Sequence, residues 1–499
     1  MACESPRAVS SRSRVWFPLR APLDAIASIA SFAGAPLFNL VRETRSRPHP
    51  PRASRRSLRS SVYEGMTAEV VGASSSGAAL TAWALYLGAS PVLIALLAAL
   101  PYLSQLVQFP SAWLTSRVGA RKVALVATSI SRQALWPLVP LPFLPVGQAT
   151  KLVLLLIVAA VSALFSIVGN NGWTTWMGDL VPRRLRGRYF GRRTAICMLV
   201  GSFATLGAGL ALDVATRHGR EGWALASLGL VAVLAGALST VLMARQHEPG
   251  AAAREPLTFE TATRPFRDPG ARRLLAFLVP WNFAIGLSSA FFVVFMLENL
   301  RMGFALIALQ GIGTAVVRLL AAPLWGRATD RLGPRPVLVA CSFLIVGIPL
   351  LWLLPTPTRL WPVAADALAS GVLWSGHNLA TFHMPLAVAP RQGRSFYLAA
   401  FSTLSGVAFA IAATAGGWLV GAMPATIHLG RVHWANLQLL FLFSIVLRLG
   451  SAFLSLRTTE PSSKPVRDLG RLVASASRPW ATPAPGVQNR PLGPRRRAG

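Results

Sequence analysis

The chain has 499 residues, 53% of them hydrophobic and only 13% charged, yet 49 Lys and Arg against 17 Asp and Glu leave a formal net charge of +32. So apolar a chain is not an ordinary soluble protein: its apolar residues fall in blocks of about 20, the length a helix needs to cross a bilayer core about 30 Å thick. The charge taken alone would point to nucleic acid, but it lies in the loops between apolar blocks, which argues against that partner.

Within lipid the backbone has to satisfy its own hydrogen bonds, so each block is predicted to be a helix and the protein to be all-α and integral to the membrane. Residues 1–60 form a basic N-terminal extension rich in Arg, Ser and Pro. Ile26, Ile29, Ala33, Leu37 and Leu40 fall there at helical spacing, while Asp24, Pro22 and Pro36 argue for a helix lying on the membrane surface rather than a span. A start placed too far upstream is the other reading of this segment. Residues 61–244 carry six predicted spans, at about 62–88, 91–115, 122–143, 151–179, 192–214 and 222–244. A polar linker, 245–273, interrupted by Pro249, Pro256, Pro265 and Pro269, separates them from six more. These lie in residues 274–458, at about 274–298, 304–326, 335–355, 360–388, 396–422 and 434–456. Residues 459–499, rich in Pro and Arg, are predicted to be a disordered basic tail.

Alternate loops are strongly basic, with Arg117, Arg121 and Lys122 in one, and Arg183, Arg184, Arg186, Arg188, Arg192 and Arg193 in another. Arg264, Arg267, Arg272 and Arg273, then Arg391 and Arg394, continue the series, whereas the intervening loops hold scattered charges such as Lys151, Arg301, Arg359 and Arg431. This asymmetry predicts that the basic loops and both termini are cytosolic. Lys occurs only at Lys122, Lys151 and Lys464, an Arg bias that fits a GC-rich bacterial gene and hence a bacterial inner membrane. Cys3, Cys197 and Cys341 are too far apart to suggest a metal or disulfide pattern.

Two stretches repeat. Arg117, Gly119 and Arg121 align without a gap with Arg331, Gly333 and Arg335, and Asn170, Pro182, Arg186 and Tyr189 recur as Asn378, Pro390, Arg394 and Tyr397. A repeat of so long a period predicts two similar halves. In the second half Gly326, Asp330, Arg331, Gly333 and Arg335 spell G-x-x-x-D-R-x-G-x-R; in the first, Ala112 and Ser116 replace the leading Gly and the acid. Physically, the first Gly permits close helix approach, the second a tight turn, and Asp330 can face the positive N-terminal end of a neighbouring helix. A basic loop that merely fixes topology is the plainer alternative.

Two six-span halves, a basic central linker and this loop motif resemble the major facilitator superfamily over about residues 60–458. The resemblance implies twelve transmembrane helices in two pseudo-symmetric six-helix bundles and transport by alternating access. It implies that the loop motif is a gate, a latch that stabilises the outward-facing state, weakened in the first half by the loss of the acid at Ser116. It also implies that spans one, four, seven and ten line the cavity.

Polar and ionisable groups inside spans cost roughly 2.5–3.5 kcal/mol each on insertion scales and are functional candidates. Asp366, Ser370, Trp374, His377 and Thr381 lie along one face of span ten, with Asn378 beside His377. Glu69 and Ser76 share a face of span one, Asn282, Gly286 and Ser289 one of span seven, and Arg318 follows Gly311 and Thr314 on span eight. Glu69, Asn170, Asn282, Arg318, Asp366, His377 and Asn378 are therefore the candidates for substrate or coupling contacts. Four have a structural alternative: His377 as a hydrogen-bonded core residue, Arg318 as a side chain reaching to the interface, Asn282 as part of a face that simply packs helices, and Glu69 as the partner of Arg132, which with Arg448 is read as structural.

No phosphate-binding loop, HExxH or G-x-S-x-G pattern occurs, so neither an enzyme nor a cofactor is expected. The expected partners are the bilayer, a small-molecule substrate and protons, on a monomer. Proton-coupled secondary transport is the leading reading, and a transport-inactive sensor or assembly factor on the same fold is the alternative.

Overall fold

The computed structural model describes residues 52–181, 186–247, 259–390, 394–424, 426–429 and 432–460. The surface helix expected around residues 26–40 and the tail beyond 460 lie outside the described residues.

In the first half, α1 (Arg52–Ser75) and α2 (Ala78–Tyr86) make one predicted span broken at Gly77, whose φ of 55° suits glycine. α3 (Pro91–Leu103) starts at Pro91 under the capping side chain of Ser90 and runs through a 3-10 turn into α4 (Gln108–Val118). α5 (Ala120–Gln133) dissolves into 3-10 turns where Pro137, Pro140 and Pro142 remove backbone donors. α6 (Gln148–Leu180), α7 (Arg186–Arg217) and α8 (Glu221–Ala244) are long and unbroken.

The second half opens with the short α9 (Phe259–Arg267). Asp268 then caps α10 (Pro269–Ser289), its carboxylate accepting from the Gly270 and Ala271 amides at 2.8 and 3.4 Å. α10 continues through α11 (Phe291–Val294) and a π turn to Asn299. There follow α12 (Phe304–Leu332), α13 (Pro334–Ile345) with a 3-10 extension to Leu353, α14 (Trp361–Val388) and α15 (Arg394–Ala422). A small antiparallel hairpin, β1 (Thr426–Leu429) and β2 (Val432–Ala435), precedes α16 (Asn436–Ser455) and is the one departure from an otherwise helical architecture among the described residues, apart from a lone bridge between Thr356 and Arg359.

Nine of the described helical segments are long and apolar enough to cross a membrane. The other three predicted spans are helical too, with identifiable reasons for falling short. The first is interrupted at Gly77, α5 carries Arg121, Lys122 and Arg132, and α14 carries Asp366, His377 and Asn378.

The buried side chains fall into unequal clusters. The largest, with Trp83, Leu97, Leu138, Phe291, Phe295 and Phe441, draws on both halves and lies entirely at the end away from the basic loops. At the basic-loop end each half has a core of its own: Trp176, Met177 and Met243 in the first, Phe277, Leu338 and Met384 in the second. The halves thus share their largest core at one end and have separate cores at the other, where they still meet through Phe109 stacked on Phe396 at 6.3 Å and Ser402 donating to the Gln108 side chain at 3.3 Å.

Candidate functional site

A cavity of about 430 Å3 lies in the second half, between the middle and the basic-loop end of α10, α14 and α15. Asn282, His377 and Asn378 line it together with Thr381, Trp281 and Trp374, and Tyr102 is the one contribution from the first half. Glycine lets the walls close up: at Gly286 a Cβ would strike the backbone of Phe409, and at Gly406 that of Tyr102. The rings of Tyr102 and Phe409 stack at 3.5 Å between centroids and bound the cavity on the side away from the basic loops.

His377 sits 3% exposed against the rings of Trp281, Trp374 and Phe277, at 5.0, 5.4 and 6.5 Å, with Nδ1 3.5 Å from the Ser342 hydroxyl. Asn378, one position on, is exposed to the cavity, and its repeat counterpart Asn170 is likewise exposed on α6. Asn170 does not line this cavity; its neighbour Asn171 turns inward, donating to the Ser111 hydroxyl at 3.2 Å.

Asp366 and Ser370 start the same face of α14 but leave the cavity. The Asp366 carboxylate accepts from Ser370 at 2.9 Å and from the Gln310 amide at 3.2 Å, buried beside α12. Arg448, 2% exposed, acts on it through space and donates to the Ser288 hydroxyl at 3.3 Å. Arg318 is exposed on α12 and has no hydrogen bond or ion pair to a described side chain; its carbonyl accepts from Ser375.

The charge centre of the first half is Glu64, which the sequence reading passed over. Its carboxylate is buried and takes Arg132 of α5 on one oxygen and Arg193 of α7 on the other, each at 3.1 Å, with Ser239 of α8 at 3.2 Å. Arg193 also donates to the Ser61 carbonyl and lies 4.5 Å over the Trp173 ring. The expected Arg132–Glu69 pair is therefore replaced by Arg132–Glu64. The two acids are five positions apart, which puts them on different sides of α1, and only Glu64 faces the bundle interior. Glu69 is exposed, accepts no hydrogen bond from a described residue, feels the Arg193 charge, and packs where Gly201 of α7 leaves room.

The two loop motifs adopt matching geometry. Gly119 and Gly333 both have φ in the left-handed region, 103° and 89°, so each turn needs its glycine. Arg121 donates to the carbonyls of Gln246 and Ala244 at 3.0 and 2.7 Å, at the end of α8. Arg335 donates to the Leu456 carbonyl at 3.0 Å, at the end of α16. Arg117 lies 4.9 Å over the Trp113 ring. Arg331 and Asp330 are exposed, Asp330 has no hydrogen bond or ion pair to a described residue, and nothing lies within 4 Å of where a Gly326 Cβ would be.

At the other end Asp213, near the end of α7, reaches across to the second half. Its two carboxylate oxygens accept from the Phe304 and Ala305 amides, at 2.6 and 2.9 Å, and so cap the N-terminus of α12. Gly209 and Gly303 permit this approach, since a Cβ at either would collide, with the Phe304 backbone in one case and the Asp213 carboxylate in the other. Nothing in the local sequence signals this contact, because its two sides belong to different halves.

Residues 274–492 match the Major Facilitator Superfamily. No curated protein sequence matches the chain. Among solved structures, a mutant of the nucleoside transporter NupG is similar with a TM-score of 0.59 at 11% identity, over 81% of this chain and 100% of that one. A bacterial homologue of the human lysosomal transporter Spinster, inward-facing and unoccupied, is similar with a TM-score of 0.59 at 14% identity, over 82% of this chain and 98% of that one. At such identities the likeness is one of fold.

Proposed function

We propose that this chain, whose residues 274–492 match the Major Facilitator Superfamily, is a transporter of that superfamily, moves a small solute across its membrane by alternating access and is folded here in the inward-facing state. Membrane transport, rather than enzymatic catalysis, is the activity that family and fold support. The observation that carries the mechanism is the distribution of the core: one shared cluster at the end away from the basic loops, separate clusters at the basic-loop end. Two bodies hinged in this way can rock about a site near mid-membrane.

The basic loops and both termini are assigned to the cytosolic side of a bacterial inner membrane, in a monomer with twelve spans. The open end then faces the cytosol. The free Asp330 and the empty space at Gly326 agree with a motif latch that engages only when that end closes. Asp213 of α7, capping α12, holds the outer side shut.

The solute binds in the cavity lined by Asn282, His377 and Asn378. Protons drive it through Glu69, which is exposed and close enough to Arg193 to sense its charge. With Glu64 and Glu69 ionised, two carboxylates balance Arg132 and Arg193; protonating Glu69 leaves one positive charge over and alters the pull on α7. His377, wedged among three rings, positions the wall of the site rather than carrying the proton.

Proteoliposomes holding the purified chain test this. Uptake of radiolabelled candidate solutes should be driven by an imposed pH gradient and exchanged in counterflow. Reporter fusions after Lys151 and after Arg186 should report opposite sides. Absence of both gradient-driven uptake and counterflow across a broad solute panel would defeat the transport mechanism, and reporters on the same side would defeat the topology.

A further inference from the structure

Resting on the reading of the cavity as the solute site, its wall chemistry narrows the class of solute. Its lining residues include no Asp, Glu, Lys or Arg. The nearest candidates are engaged or turned elsewhere: Asp366 is buried with Gln310 and Ser370, and Arg318 is not among the lining residues. A formal charge brought into such a pocket would exchange its hydration for no counter-charge, a heavy penalty.

Several of the polar groups that remain offer lone pairs. Asn282 spends a donor on the Leu278 carbonyl at 2.8 Å, leaving its amide oxygen available. Thr381 donates its hydroxyl to the His377 carbonyl at 2.8 Å, and Ser402 donates to that of Leu398 at 2.8 Å, so both face a solute with lone pairs. Asn378 offers both kinds of group. Donors are present too: the hydroxyls of Tyr102 and Ser405 and the indole of Trp374 line the cavity, and Trp281, 1% exposed, has an indole N–H with no partner among the described residues. The rings of Trp281, Trp374, Phe401 and Phe409 supply flat apolar faces around these atoms.

We infer that the transported solute is an uncharged ring-bearing molecule rich in hydroxyl or N–H donors, held by stacking on the tryptophans and by donation to Asn282, Thr381 and Ser402. Aromatic faces also attract cations, so the chief competitor is an ammonium compound.

The test uses matched probes on the purified full-length protein, read by quenching of tryptophan fluorescence and by thermal shift. One series is phenyl glucoside, phenyl glucuronide and phenyl glucosaminide, neutral, anionic and cationic on one scaffold; the other is adenosine against adenosine monophosphate. The neutral member of at least one series should bind saturably and raise the melting temperature, with its charged analogues roughly tenfold weaker or worse. Trp374→Ala and Asn378→Leu, provided each melts like the parent without ligand, should weaken that binding by roughly tenfold. Tighter binding of a charged analogue, or binding by no neutral probe, overturns the assignment. Charged probes that bind and are exchanged in counterflow would sink the solute class and leave transport standing. Neutral probes that bind but never cross would do the reverse.

Discussion

Arg121 and Arg335 make the same kind of contact in the two halves: each follows the turn after α4 or α12 and donates to backbone carbonyl oxygen at the end of the last helix of its half, α8 or α16. A guanidinium at a helix C-terminus meets the negative end of the helix dipole and satisfies carbonyls that have no partner within the helix. The repeat read in the sequence as Arg117-x-Gly119-x-Arg121 and Arg331-x-Gly333-x-Arg335 is in this respect a packing device as well as a basic loop.

Arg121→Ala and Arg335→Ala should each lower stability by about 1 kcal/mol, through lost hydrogen bonds to terminal carbonyls. Thermal melts of the detergent-solubilised protein would show it, with Lys at either position recovering part of the loss. Melts unchanged by both substitutions would leave the two arginines to topology alone.

Glu64→Gln should be far more damaging, by about 3–5 kcal/mol, because it strands two guanidinium groups inside the first half. Pairing it with Arg132→Met should recover part of the stability. Equal melting of parent and Glu64→Gln would show that the cluster is not a structural keystone.

Glu69→Gln should fold like the parent and retain counterflow, yet lose accumulation driven by a pH gradient. His377→Gln should lower the melting temperature and leave the pH profile of transport in place, since the ring is packed among Phe277, Trp281 and Trp374. A shifted pH profile in His377→Gln with an unaltered one in Glu69→Gln would exchange the two roles.

Asp213→Asn should loosen the end away from the basic loops. A carboxylate on a helix N-terminus is worth up to about 2 kcal/mol in a partly buried setting, enough to change the ratio of states by roughly tenfold. Spin labels at Trp223→Cys and Trp361→Cys, with Cys3, Cys197 and Cys341 replaced, would report the distance across that end. An unaltered distance distribution would show that Asp213 caps α12 without latching it.

Much of the architecture was legible because its causes are local. Apolar block length gave the helices, and the register of Gly119 with Gly333 foretold two turns that both take positive φ. The site was less legible because its causes are not local. The face Asp366, Ser370, Trp374, His377 and Thr381 is continuous on α14, but its neighbours change along the helix: α12 takes Asp366 and Ser370, and the cavity takes the remainder. Likewise the choice between Glu64 and Glu69 as partner for Arg132 depends on how α1 is rotated against α5, α7 and α8. Composition reveals that an acid lies within a span, but only the packed bundle selects which one is neutralised.

Tyr102 is the lone side chain of the first half on the cavity wall, while the buried triad of Glu64, Arg132 and Arg193 has no counterpart placed against that wall. If the cavity holds the solute and Glu69 couples the proton, as proposed, the second half is the chooser and the first the engine. Changes that retune which cargo is accepted should accumulate in α10, α14 and α15, whereas changes that retune the energy source should accumulate in α1 and α7. Grafting the second half of a relative onto this first half would then transfer its taste in cargo without transferring its fuel.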